Sequence, residues 1–204
     1  LAPTGSVRIA AFDGENADPY NGRALGDGLK AYTPWGELAY ALAGRDGYER
    51  VRQSDEKRIA PGSATLRELF GDEPTLILLD ELSVYLRKAW AEDRTAGKHA
   101  AHQAGDQTTA FLTALFKAVE SSPRAVVVYT LAIGKGGSAT DAYSAENRFI
   151  AEKMEEYDSV SARKAALLDP TEEDETVKVL RRRLFARIDD GRAVSIIDAY
   201  RHRW

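Results

Sequence analysis

Apolar residues along the chain fall into two rhythms. Four short runs, residues 7–12 (VRIAAF), 76–79 (LILL), 125–130 (AVVVYT) and 165–168 (AALL), have the length and content of buried strands. Between them, apolar residues recur every three or four positions, the period of a helix with one buried face. Thr33 and Pro34 start such a helix, with Trp35, Leu38, Ala39 and Leu42 on one side and Gly44 as its stop. A second helix is expected over 46–53. A third begins at Ser63, carries Leu66, Leu69 and Phe70, and ends at Gly71. Leu82, Tyr85, Leu86 and Ala89 repeat the pattern after the second run, and Phe111, Leu112, Leu115, Phe116 and Val119 repeat it over 108–121. Residues 15–30 read as loop, and the polar, Ala- and Gly-rich stretch 92–105 reads as a mobile excursion. Strands alternating with helices predict an α/β fold with a mostly parallel sheet covered on both faces.

The last third has its own organisation. Residues 146–157 read as a helix. Asp169-Pro170-Thr171-Glu172 then forms a capping box with proline in the first helical position, and Val177, Leu180, Leu184 and Ile188 align along the helix that follows. Its acids lie at the N-terminus, and Arg181, Arg182, Arg183 and Arg187 lie toward the C-terminus, which complements the helix macrodipole. The alternative role for these arginines is contact with a phosphate, in this subunit or a neighbour.

The second apolar run ends in Asp80-Glu81, the form of a Walker B motif. In open α/β sheets ligands bind beyond the carboxyl ends of the strands. An aspartate there suits Mg²⁺ taken through its water shell, and the following glutamate suits orientation of the water that attacks a γ-phosphate. The alternative is a core strand that simply runs into a polar loop. Thr130 ends the next strand, where a polar side chain reaches a γ-phosphate or the catalytic water; satisfying its own backbone is the competing use. No Gly-x-x-x-x-Gly-Lys-Ser/Thr phosphate loop occurs in the 204 residues. Gly134-Lys135-Gly136-Gly137-Ser138 and the loop from Gly22 to Gly28 lack its spacing and read as flexible loops.

Composition narrows the class. The chain is 44% hydrophobic and 29% charged, the balance of a globular protein with a substantial core rather than a disordered or fibrous one. No apolar stretch approaches the roughly 18 residues of a membrane span. The absence of cysteine removes disulfides and thiolate metal sites, and a cytoplasmic setting is expected. A net charge of −4 argues against whole-surface attraction to nucleic acid. His99 and His102 are three apart but have no third ligand nearby in sequence, so a solvated loop is the expectation. Trp35, Trp90 and Trp204 show no aromatic-basic interleaving of a single-strand binder.

In order and content these segments resemble the AAA+ superfamily of ATPases: an apolar strand with Asp80-Glu81, a helix, a strand ending in Thr130, then a strand and the turn LLDPTEEDETVKVLRRRLF. A closer resemblance is to the prokaryotic AAA+-type proteins gathered as domain-of-unknown-function family 499. It is carried by TPWGELAYALAG, APG, TLILLDELSVYLR, FLTALFKAVESSPRAVVVYTLA and VLRRRLFARID. The resemblance implies a P-loop NTPase-like core over residues 1–170 and the start of a helical lid over 171–204. It implies ATP and Mg²⁺ as ligands of the full-length parent, with Asp80 at the metal, Glu81 and Thr130 as catalytic residues, and Arg183 as a nucleotide-binding arginine. It also suggests homo-oligomers and a nucleic-acid or DNA-modification partner.

The chain departs from that family in lacking the phosphate loop, the strand before it and the helix after it. It begins without methionine and reads as an excised part of a longer protein, inactive alone and partnered by its own upstream P-loop segment. In the AAA+ sheet the missing strand lies between the strands expected at 125–130 and 165–168, so a slot there is expected to be closed by rearrangement, by other parts of the chain or by a partner. Two rivals stand beside the ATPase reading: a non-catalytic interaction domain, and a nucleic-acid-binding module using the arginines at 181–183 and 187.

Overall fold

A computed structural model describes residues 5–96 and 103–130, together with scattered positions from Glu146 to Asp198. The chain divides into two compact units, Leu1–Lys164 and Ala165–Trp204. In the first, the apolar runs become β1 (Arg8–Asp13), β4 (Thr75–Asp80) and β5 (Ala125–Tyr129) of one parallel sheet, ordered β1-β4-β5. Arg8 pairs with Thr75 and Asp13 with Asp80, while Thr75 pairs with Ala125 and Leu79 with Tyr129. The three carboxyl ends therefore lie level. Parallel neighbours need crossover connections, and helices supply them: α1 (Pro34–Glu56) and α2 (Ser63–Phe70) between β1 and β4, and α3 (Leu82–Ala96) and α4 (Gln103–Glu120) between β4 and β5.

Local chemistry sets the helix boundaries. The Thr33 hydroxyl accepts from the Gly36 N–H at 3.2 Å and Pro34 takes the first turn, so α1 starts where a cap and a proline coincide. The helix expected to stop at Gly44 and the one expected over 46–53 are two halves of α1, joined at a break where Ala43 and Gly44 leave helical geometry and Gly44 takes φ 58°. Gly62, not Ser63, is the N-cap of α2, and no side chain caps it. Gly71, at φ 56°, ends that helix as glycine does most readily.

Two expectations are corrected. The loop 15–30 contains a small antiparallel pair, β2 (Arg23–Ala24) with β3 (Lys30–Ala31). Two-residue strands carry no periodicity to read. Within 92–105, α3 continues to Ala96 and α4 begins at Gln103, so the excursion shrinks to 97–102, outside the described residues. Ala, Glu, Arg and Gln, which occupy most of 92–96 and 103–104, are good helix formers, and the sequence pattern underrated them.

The core lies against one side of the sheet. Ala10, Phe12, Ile77 and Leu79 face it and meet Trp35, Leu38, Leu66, Phe70, Leu82, Tyr85, Leu86, Phe111 and Leu115. Trp35 and Phe111 pack at 5.3 Å between ring centroids, and Phe12 meets Tyr85 edge-on at 5.6 Å. The opposite side carries Ile9, Val126 and Val128, which stay exposed among the described residues, so the covering of both faces that the sequence pattern suggested is found here on one. Glu146 and Phe149 pack onto α3: Glu146 accepts two bonds from Arg87, at 2.7 and 2.8 Å, and Phe149 meets Trp90 at 5.4 Å. Among the described residues β5 is an edge strand; the strand expected at 165–168 and the capping box at 169–172 lie outside them, as does the slot between.

Candidate functional site

The carboxyl end of the sheet gathers the polar residues singled out from the sequence. Asp80 is the last residue of the central strand β4. Thr130 follows β5 directly; its N–H donates to the Leu79 carbonyl at 3.0 Å and its hydroxyl donates to Asp80 Oδ1. Strand pairing thus carries the threonine to the aspartate. Asp80, Glu81 and Thr130 are all exposed, so the group faces solvent rather than core.

Glu81 has a left-handed backbone, φ 54°, unusual for a residue with a side chain. Its carbonyl accepts from Val84 at 3.0 Å and Tyr85 at 3.3 Å, so it also opens α3. The neighbouring turn enforces this geometry. Gly14 donates its N–H to the Asp80 carbonyl at 2.9 Å, and a Cβ on Gly14 would stand 1.9 Å from the Glu81 carbonyl oxygen. Such backbone strain persists only where its surroundings over-determine it, and it clusters at functional sites.

Two further residues shape this end of the sheet without having been read from the sequence. Asp13, level with Asp80, accepts from the Glu15 N–H at 2.9 Å and from the Asn16 side-chain amide at 2.6 Å; those bonds, the Asn16 one foremost, hold its carboxyl below the usual range. Lys88 on α3 reaches the carbonyls of Gly14 at 3.2 Å, Glu15 at 2.5 Å and Ala17 at 2.9 Å, strapping the loop after β1 to the helix after Glu81. A lysine on a helix gave no signal of its partners, which lie more than seventy residues away.

The loop after β1 is tied down by a second polar cluster. Asp55, fully buried in α1, accepts from the Tyr32 N–H at 3.1 Å, the Thr33 hydroxyl at 2.5 Å and the Tyr48 hydroxyl at 2.9 Å. Burial raises its pKa against these bonds, and burial likewise raises that of Tyr48. Nearby, Glu37 pairs with Arg23 at 2.5 Å, and burial pushes its pKa to about 7.

The donor set at Asp80 bears on a metal. Among the described residues no three His, Asp or Glu side chains group as metal ligands, so no all-protein cage is present. One accessible carboxylate beside a hydroxyl suits a cation such as Mg²⁺, which keeps most of its waters and takes its remaining ligands from phosphate. Arg183 is helical and exposed in the second unit. His99, His102, His202, Trp204 and the 134–138 loop lie outside the described residues.

The model of the DUF499 N-terminal domain matches residues 6–165, most of the chain. The chain belongs to the DUF499 family. The match spans the whole β1 to β5 unit and therefore every residue of the strand-end cluster. No curated protein and no solved structure matches the chain. Among the described residues of this DUF499 domain, no helix is long and apolar enough to cross a membrane.

Proposed function

We propose that this DUF499 domain is the Walker B and sensor portion of an AAA+-type ATPase, and that its phosphate loop comes from another polypeptide segment. The observation that carries the reading is the Asp80–Thr130 hydrogen bond at the carboxyl end of a parallel sheet, with a strained and exposed Glu81 next in sequence. A parallel sheet puts its ligand at this end, and the three residue types match the parts that phosphoryl transfer needs.

In this reading Asp80 would hold Mg²⁺ beside ATP, where the metal would neutralise charge on the β- and γ-phosphates. Glu81 accepts a proton from, and orients, the attacking water. Thr130 positions the Asp80 carboxylate with its one hydroxyl proton, and turning that proton to the γ-phosphate would release Asp80 Oδ1. Gly14 and Lys88 act on this geometry by fixing the turn against which Glu81 packs. Arg183 is proposed as a nucleotide contact, and assembly into homo-oligomers or with a DNA-modification partner belongs to the same reading.

A second reading is a non-catalytic interaction domain that kept the fold without the chemistry, which a complete polypeptide without a phosphate loop would favour. Mg²⁺-dependent ATP hydrolysis by the complete natural polypeptide separates the two. The unaltered protein is expected to turn ATP over, and Glu81→Gln to bind it without turnover. If neither protein binds or hydrolyses ATP, the acids are structural.

A further inference from the structure

A second feature lies away from the strand-end acids, between the β2–β3 hairpin and the C-terminal half of α1. It is a cavity of about 560 Å³ lined by Gly28, Leu29, Lys30, Tyr48, Arg52 and Arg58, with Tyr32 and Glu56 at its wall. Three cations face one carboxylate, on a chain whose net charge is −4. Both arginines are held in place. The Arg52 guanidinium lies 5.8 Å over the Tyr48 ring and pairs with Glu49; the Arg58 guanidinium lies 5.5 Å over the Tyr32 ring and donates to the Pro19 carbonyl at 2.7 Å. The tyrosines are fixed in turn, Tyr48 through Asp55 and Tyr32 by close packing against Gly22, where a Cβ would stand 2.9 Å from the ring.

Arg58 occupies an unexpected place. The α1 helix ends with Ile59 N–H donating to Ser54 at 2.9 Å and Arg58 N–H donating to Asp55 at 3.0 Å, a Schellman ending whose left-handed position is usually glycine. Arg58 stands in that position at φ 53°. A side chain where glycine fits best, on a residue that lines the cavity, points to a use for the guanidinium.

We propose that this cavity binds a phosphate ester of nucleotide size, either a free nucleotide or one unit of a strand. Two stacked guanidiniums with a lysine beside them match a multiply charged oxyanion, for which arginine's planar fork is suited. The volume lies within the range of small-ligand sites and exceeds what a bare phosphate fills. Glu56 supplies an acceptor for a sugar hydroxyl or an exocyclic amine. The site stands apart from Asp80 and does not depend on ATP hydrolysis.

The test is fluorescence anisotropy on the full chain without Mg²⁺, using a fluorescent AMP analogue and a labelled single strand of roughly 12 nucleotides at about 50 mM salt. The unaltered protein is expected to bind at least one probe. Lys30→Ala with Arg52→Ala, and separately Arg58→Gly, should each weaken binding at least about tenfold. Arg50→Ala, on the same helix but paired with Glu68 outside the cavity, should leave binding unchanged. Binding of the analogue identifies a free nucleotide as the ligand, and binding of the strand alone identifies a polynucleotide. Absence of binding to both probes, or equal losses in the Arg50 control, overturns the proposal; near-UV circular dichroism of each variant confirms that its fold is kept.

Discussion

Glu37 should make the domain lose stability as pH rises through the weakly acidic range, and Glu37→Gln should remove that loss. The carboxyl is 6% exposed, whereas its partner Arg23 is 42% exposed, so the attraction is screened while the desolvation is nearly complete. Burial, assisted by the charges of Asp55 and Asp13, therefore outweighs Arg23 and carries the pKa from 4.5 to about 7. An acid with a raised folded-state pKa keeps its proton in the native state where the unfolded chain has released it. The native state is thus favoured most below the unfolded pKa, loses that advantage between 4.5 and about 7, and levels off above. At 1.36 kcal/mol per pKa unit the full difference is about 3 kcal/mol, a large share of a typical domain's stability. Urea unfolding followed by fluorescence of buried Trp35 reads it directly, with wild type and Glu37→Gln compared from about pH 4.5 to 7.5. The difference between the two profiles cancels the titrating groups that do not interact with Glu37. Parallel profiles would refute the reasoning, as would a variant that loses stability only near neutral pH, since the ion pair would then outweigh the burial.

Other substitutions test the site and its supports. Gly14→Ala places a methyl against the Glu81 carbonyl and should destabilise the domain by roughly 2 kcal/mol while impairing any ATP hydrolysis by the complete polypeptide; unchanged values in both would mean that the turn yields freely. Asp55→Ala strands the donors of Tyr32, Thr33 and Tyr48 and should cost roughly 3 to 5 kcal/mol by urea unfolding. Phe111→Ala removes a fully buried ring beside Trp35 and should cost about 3 to 5 kcal/mol, with an altered Trp35 emission spectrum. Thr130→Val releases Asp80 Oδ1 and should lower ATP turnover in the complete polypeptide far more than it lowers melting temperature; a loss confined to stability would leave the threonine structural.

The sequence by itself determined the elements that rest on local chemistry. A Thr-Pro cap fixes the start of α1, glycines free to adopt positive φ break or end helices at Gly44 and Gly71, and short apolar runs make β1, β4 and β5. It also pointed to Asp80, Glu81 and Thr130, because acids and a threonine at strand ends stand out against apolar runs. The tertiary structure alone decided what these residues touch. Parallel pairing in register brings Thr130 to Asp80 across fifty residues, and the close approach of Gly14 to the Glu81 carbonyl joins two crossover turns. The same holds for the Asp55 cluster, for the Lys88 strap and for the cavity of Lys30, Arg52 and Arg58. Lys88 finds carbonyls more than seventy residues away through the packing of α3, and Lys30 and Thr33 come to Arg52, Asp55 and Arg58 through the packing of α1; no periodicity along the chain encodes either approach.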